Sequence, residues 1–236
     1  MTGGAGPGRT GGPPHGRAAR TAPLLLAGYL VLSAVDLGGL LAGADTAHLL
    51  AKPLLMPVLV AYAAVRGAPR WLIAALLFGW GGDVALMVDH GTAFLLGMGS
   101  FAVGHLCYLR LFGRARASLI AGGAYAVALC AVLVAMWGDL PAAMRLPMTG
   151  YSLLLATMAW RSGVLGRYAA AGGALFLLSD TLIATGVADW PQPPAHDFLV
   201  MLTYLAAQLL LTTGALGRGV RPSTVTGAYR GTVETA

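Results

Sequence analysis

Charged residues are scarce in this sequence. Only 10% of its 236 residues are Asp, Glu, Lys or Arg, whereas a typical soluble domain carries about 25%. Apolar residues make up 57% of the chain, and the mean hydropathy is +0.73. Too little polar surface remains to cover a water-soluble globule of this size. These proportions exclude a soluble enzyme, a nucleic-acid-binding domain and a disordered chain, and they favour a polytopic membrane protein.

Cysteine is also scarce, because the chain has only Cys107 and Cys130, both inside apolar runs. A disulfide framework or a thiolate metal site needs more cysteines at regular spacing. His105 is the one histidine deep within an apolar run, whereas a zinc site generally takes three protein ligands. We therefore expect no disulfide scaffold and no metal site.

The apolar runs predict an all-α fold, a polytopic membrane bundle of eight transmembrane helices in residues 23–216. A helix needs about 20 predominantly apolar residues to cross a bilayer. Residues 1–22 are rich in Gly, Pro and Arg and are predicted to be a disordered basic tail, and residues 217–236 are predicted to be a flexible tail. The predicted spans are 24–43, 49–65, 71–88, 93–112, 117–137, 143–160, 168–188 and 197–216.

The distribution of basic residues predicts the orientation of these spans. With both termini in the cytoplasm, 13 of the 15 Lys and Arg residues fall on the inner side, and only Lys52 and Arg145 fall outside. This asymmetry follows the positive-inside rule, and an odd number of spans spoils it. We expect a multi-pass protein of the cell membrane, and the Ala-, Gly- and Arg-rich composition indicates the plasma membrane of a bacterium.

Three carboxylates lie within predicted spans: Asp36, Asp83 and Asp180. Charged side chains at bilayer depth are costly, so they usually face a protein interior and often mark function. The predicted orientation places all three in the outer halves of their spans, with Lys52 near the same level. A structural ion pair between Lys52 and one aspartate is an equally good interpretation, and Asp36 is better read as structural than as catalytic.

Asp83 and Asp180 lie in similar settings in spans three and seven. Each follows a small residue, Gly82 or Ser179. A parallel four-plus-four duplication and chance similarity between apolar helices both explain this likeness. His105 in span four, and Tyr204 and Gln208 one turn apart in span eight, are candidates for lining the same cavity, although each is also a common helix–helix contact.

Five segments together resemble the lysoplasmalogenase (YhhN-like) family of membrane proteins, over roughly residues 25–216. They are KPLLMP at 52–57, LFGWGGDVALM at 77–87, FLLGMGSFAVGHLCYLRLF at 94–112, ALFLLSDTLIA at 174–184 and TYLAAQ at 203–208. The resemblance implies an eight-helix hydrolase that cleaves the vinyl-ether bond of lysoplasmalogens to a fatty aldehyde and a glycerophospho-base. The residues at the family's polar positions are Lys52, Asp83, His105, Ser179, Asp180, Tyr204 and Gln208.

The implied reaction fits two buried carboxyl groups. A vinyl ether is hydrolysed through protonation at carbon, which needs one protonated acid and one ionised carboxylate, and two neighbouring buried acids favour that division. We hypothesise that Asp83 and Asp180 form this pair, with Lys52, His105, Ser179, Tyr204, Gln208 and Asp36 in supporting or substrate-binding roles. We expect a lysolipid substrate that enters from the bilayer, no cofactor and no nucleic acid. The alternative is a proton-coupled transporter that uses the buried aspartates as a proton relay.

Overall fold

The computed structural model of the protein describes residues 15–88 and 91–218. These residues form eight α-helices and one 3-10 turn at Gly163–Leu165, without a β-strand. The helices are α1 His15–Ala42, α2 Asp45–Val65, α3 Arg70–Leu86, α4 Gly91–Phe112, α5 Leu119–Met136, α6 Ala142–Ser162, α7 Arg167–Val187 and α8 His196–Arg218.

Each predicted span corresponds to one helix, which confirms the all-α prediction. The main difference lies at the start, because α1 begins at His15, within the segment predicted to be a disordered tail. The helix therefore extends about two turns to the N-terminal side of the apolar run from which it was predicted. The rest of the N-terminal tail, and the C-terminal tail beyond Arg218, lie outside the described residues.

Short connections hold consecutive helices close together. Gly43 after α1 and Gly113 after α4 adopt φ values of 66° and 67°. This left-handed backbone conformation closes helix C-termini and costs glycine little, because glycine has no Cβ atom. Consecutive helices consequently reverse direction within a few residues, as a bundle of antiparallel neighbours requires.

Six of the eight described helices are long and apolar enough to cross a membrane: α1 from Arg20, α2, α4, α5, α7 and α8. The protein is a multi-pass membrane protein. The two others differ from these in length or polarity. Helix α3 has 17 residues, and α6 carries Arg145 and Pro147 in its first turns.

The helices differ strongly in how much of their surface is buried. The most extensive packing joins α3 to α4, α7 to α8 and α1 to α2, and α8 is the most buried of the six long apolar helices. Helix α5 packs mainly against α6 and exposes Ile120 (88%), Val127 (71%) and Val134 (78%). Large apolar side chains exposed to this degree suit contact with lipid. Helices α3 and α4 of the first half of the chain pack together, and helices α7 and α8 of the second half do the same. A four-plus-four duplication would give this likeness, and the duplication stays a prediction.

Candidate active site

Asp83 is the end of a buried hydrogen-bond network that joins α3, α4 and α8. The Tyr204 hydroxyl donates to Asp83 Oδ2 at 2.8 Å, and Gln208 Nε2 donates to the Tyr204 oxygen at 3.1 Å. The Tyr108 hydroxyl in turn donates to Gln208 Oε1 at 2.7 Å. All four side chains are buried. Tyr204 and Gln208 share one face of α8, as their spacing predicts, and we call these four residues the Asp83 network.

Asp180 is the end of a second network, which joins α4, α6 and α7. The Tyr151 hydroxyl donates a short hydrogen bond to Asp180 Oδ2, and His105 Nε2 lies 3.1 Å from the same hydroxyl oxygen. His105 is 1% exposed, and its Nδ1 atom is buried without a hydrogen-bond partner among the described residues. We call Asp180, Tyr151 and His105 the Asp180 network.

The two networks are neighbours, but the two aspartates are not hydrogen-bonded to each other. The Phe176 ring packs edge-on against both, with centroid distances of 4.9 Å to His105 and 5.5 Å to Tyr204. Asp83 remains within electrostatic range of Asp180. The structure therefore holds two separately partnered carboxyl groups in networks that both contact the Phe176 ring.

Close helix contacts at glycines make this arrangement possible. A Cβ atom added at Gly82, directly before Asp83, lies 2.5 Å from the ring of Phe101, and one at Gly79 lies 3.0 Å from Gln208 Nε2. Carbon atoms in contact normally keep about 3.5–4.0 Å apart. The small residues of α3 therefore allow α4 and α8 to approach closely enough for the Asp83 network to form.

A cavity of about 440 Å³ lies between α4, α5, α6 and α7, with Asp180 and Tyr151 in its wall. This volume lies within the range of about 300–1,000 Å³ that is usual for ligand sites. Most of the remaining wall is apolar, and Asp83, Lys52, Tyr204 and Gln208 are not part of it. Ala124, Ala128 and Leu178 of the wall are exposed, so the cavity opens towards the lipid-facing surface.

The third acidic residue, Asp36, has a partner that the sequence analysis missed. Asp36 is fully buried, and its Oδ1 lies 2.8 Å from Nδ1 of His48 on α2. Lys52 forms no ion pair within 4 Å among the described residues, although it lies within electrostatic range of Asp36 and Asp83. An ion pair between Lys52 and an aspartate was one interpretation of the sequence. In the structure, His48 and not Lys52 is the partner of Asp36.

Two further residues show what the sequence patterns did and did not reveal. The Ser179 hydroxyl donates to the Val200 carbonyl oxygen at 3.0 Å, so Ser179 ties α7 to α8 instead of facing the cavity. Tyr151 was not among the candidates, although it lies in a polar stretch, TGYS at 149–152, within an otherwise apolar run. A polar stretch at that depth was the signal that could have revealed it.

The fold and the site together define a multi-pass membrane protein with two carboxyl groups inside its helix bundle, one of them open to an apolar cavity. Residues 47–215 match the model of the YhhN family. The chain belongs to this family, which confirms the resemblance found in the sequence motifs.

Relatives with names are found in mammals and in bacteria. The chain is 39% identical over 173 residues to lysoplasmalogenase TMEM86B of Rattus norvegicus, with 70% of each protein covered. It is 37% identical over 157 residues to the protein of the same name from Homo sapiens, and this match covers 64% of this chain and 65% of the relative. A lysoplasmalogenase of Mycobacterium tuberculosis is 31% identical over 189 residues, with 72% of each covered. No solved structure matches the chain.

Proposed function

We propose that this protein hydrolyses the vinyl-ether bond of lysoplasmalogen-type lysolipids, giving a fatty aldehyde and a glycerophospho-base. The observation that carries the proposal is the position of Asp180, a carboxyl group in the wall of an apolar cavity that opens towards lipid. The apolar wall suits the hydrocarbon chain of such a lipid, and hydrolysis of its vinyl-ether bond needs an acid. The names of the mammalian and bacterial relatives support the same substrate class.

The proposed reaction begins with proton transfer from Asp180 to the vinyl carbon that is not bonded to oxygen. The double-bond electrons form the new C–H bond, and the adjacent carbon becomes an oxocarbenium centre. Water adds to that carbon and returns a proton to the Asp180 carboxylate. The resulting hemiacetal then breaks its bond to the glycerol oxygen, which takes up the hydroxyl proton as the aldehyde forms. One water is consumed, and the enzyme is regenerated.

Asp83 is proposed to act as the second carboxylate, from a distance. It does not line the cavity, but it lies within electrostatic range of Asp180, and charges interact more strongly in an apolar interior than in water. An ionised Asp83 therefore stabilises the oxocarbenium ion. Tyr204 donates to the Asp83 carboxyl group, Gln208 donates to Tyr204, and Lys52 lies within electrostatic range of Asp83.

The substrate is proposed to enter sideways from the bilayer, between α5 and α7. The cavity wall is exposed at Ala124 and Ala128 of α5 and at Leu178 of α7. Membrane lipids are thus both the surroundings of the protein and the source of its substrate. No cofactor takes part in the proposed steps.

We further propose that α3 and α6 also cross the membrane, which gives eight spans with both termini in the cytoplasm. Helix α3 packs between α2 and α4, and its 17 residues are about 26 Å long, close to the thickness of the hydrocarbon core. The basic residues then lie mainly inside, and the host membrane is the plasma membrane of a bacterium. Labelling of single cysteines placed in the loops of a cysteine-free variant tests each crossing.

The function is tested by incubating the purified protein in detergent with two matched lysolipids, one with the vinyl-ether double bond and one with a saturated ether. We expect mass spectrometry to detect aldehyde only from the vinyl ether. Because general acid catalysis contributes about 10²- to 10⁴-fold, Asp180→Asn should lower kcat by that factor. Asp83→Asn should lower kcat less.

The control variant is Asp197→Asn, because the Asp197 side chain is 84% exposed and should not affect turnover. Full activity of folded Asp180→Asn would remove Asp180 from the chemistry. Flux of an unchanged molecule into sealed vesicles, without aldehyde release in detergent, would favour the transporter instead.

A further inference from the structure

The hydrogen bonds of the Asp180 network have a fixed direction. A tyrosine hydroxyl has one proton, and that of Tyr151 is donated to Asp180 Oδ2. The hydroxyl oxygen can then only accept from His105 Nε2, so Nε2 carries a proton. His105 Nδ1 is buried and has no partner among the described residues. A buried N–H group without an acceptor is costly, so Nδ1 is unprotonated and His105 is the neutral Nε2–H tautomer.

This direction decides which oxygen of Asp180 can carry the acid proton. Oδ2 accepts the Tyr151 proton, so the proton of a neutral Asp180 sits on Oδ1, which forms no hydrogen bond with a described residue. We infer that Tyr151 and His105 are positioning residues that keep the acid proton of Asp180 on Oδ1 and stabilise the carboxylate that remains after proton transfer. This inference rests on the proposed function.

The surroundings of the network are suited to this role. Its three residues come from α4, α6 and α7, and α6 packs against both other helices. Phe176 packs against the His105 ring at an interplanar angle of 79°, which restricts the ring that donates to Tyr151. Asp180 and Tyr151 line the cavity and His105 does not, so His105 acts only through Tyr151. A purely structural network would contribute to stability and leave turnover unchanged.

The first test compares kcat and KM for the vinyl-ether lysolipid in detergent. Loss of one preorganised donor commonly lowers kcat about 10²- to 10³-fold, so Tyr151→Phe should fall within that range while KM changes less than about threefold. His105→Leu should lower kcat at least about tenfold, as expected for a group acting through another residue. His105→Gln should recover part of that loss, because the Gln amide nitrogen is also a donor.

The control is Tyr168→Phe, which removes a hydroxyl from a side chain on the surface of α7 that is 54% exposed. Its kcat should equal that of the unmutated protein. Thermal unfolding of each variant distinguishes lost turnover from lost structure. If Tyr151→Phe does not fold, the two His105 variants decide between positioning and packing.

The second test does not depend on turnover. In infrared spectra, the C=O stretch of the protonated Asp180 carboxyl is assigned by its loss in Asp180→Asn. We expect this band to shift in Tyr151→Phe and in His105→Leu, and to stay in place in Tyr168→Phe. If no aldehyde is released, the proposed function fails, and the band alone decides the inference. An unchanged band in Tyr151→Phe, or an unchanged kcat, overturns the positioning role.

Discussion

The cavity wall on α5 provides a direct test of where the substrate chain binds. Ala128 lies in the wall of the cavity, on the helix that packs least against the rest of the bundle. Ala128→Phe adds an aromatic ring at the cavity wall without replacing a buried core side chain. Ala131→Phe is the matched control, because Ala131 is exposed on α5 but does not line the cavity.

The expected magnitude follows from crowding and not from the hydrophobic effect. A hydrocarbon chain that moves from lipid into an apolar cavity gains little hydrophobic free energy, so the added ring acts by overlapping the chain. Overpacking of an apolar site costs about 1–3 kcal/mol, which corresponds to about 5- to 150-fold in kcat/KM. The penalty should apply to long-chain lysolipids, since a chain that ends before the ring meets no obstacle.

The assay is aldehyde release from a series of vinyl-ether lysolipids that differ only in chain length. We expect Ala128→Phe to lower kcat/KM for the longest chains and to leave the shortest unchanged, and we expect Ala131→Phe to match the unmutated protein throughout. No loss at all in Ala128→Phe, or the same loss in Ala131→Phe, would refute the assignment of this cavity to the hydrocarbon chain.

Two further predictions concern stability and are measured by thermal or denaturant unfolding in detergent. Gly82→Ala should destabilise the protein by about 1–3 kcal/mol, because the added carbon lies 2.5 Å from Phe101. Gly99→Ala should not, because a Cβ atom there meets nothing within 4 Å; equal effects would contradict the packing argument. His48→Leu should cost up to about 3 kcal/mol, because it leaves buried Asp36 unpaired. The double variant with Asp36→Leu should recover most of that loss, and a further loss would show that the pair is not the cause.

The fold was predictable because the bilayer imposes a simple rule on the sequence. Each helix contains one apolar run, and, except in α1, its length follows from the length of that run. The start of α1 was less predictable, because its first turns, from His15, are polar and carry no hydrophobic signal.

The site was only partly predictable, because hydrogen bonds between helices depend on how each helix is rotated. The spacing of Tyr204 and Gln208 indicated a shared face, and the structure shows the hydrogen bond between them. Spacing within one helix could not show that Tyr151 reaches Asp180, nor that Asp36 takes His48 as its partner in place of Lys52. These contacts depend on the rotation of α6 and α2 about their axes, which an apolar run does not determine.

The loose attachment of α5 has an evolutionary consequence. A substitution in a tightly packed helix such as α8 disturbs many neighbours, whereas one on α5 disturbs few. Selection can therefore reshape the proposed compartment for the hydrocarbon chain while Asp180, the proposed proton donor, and its hydrogen-bond partners stay unaltered. Relatives that accept different hydrocarbon chains should differ mainly in α5. Exchanging α5 between two such relatives should transfer the chain preference.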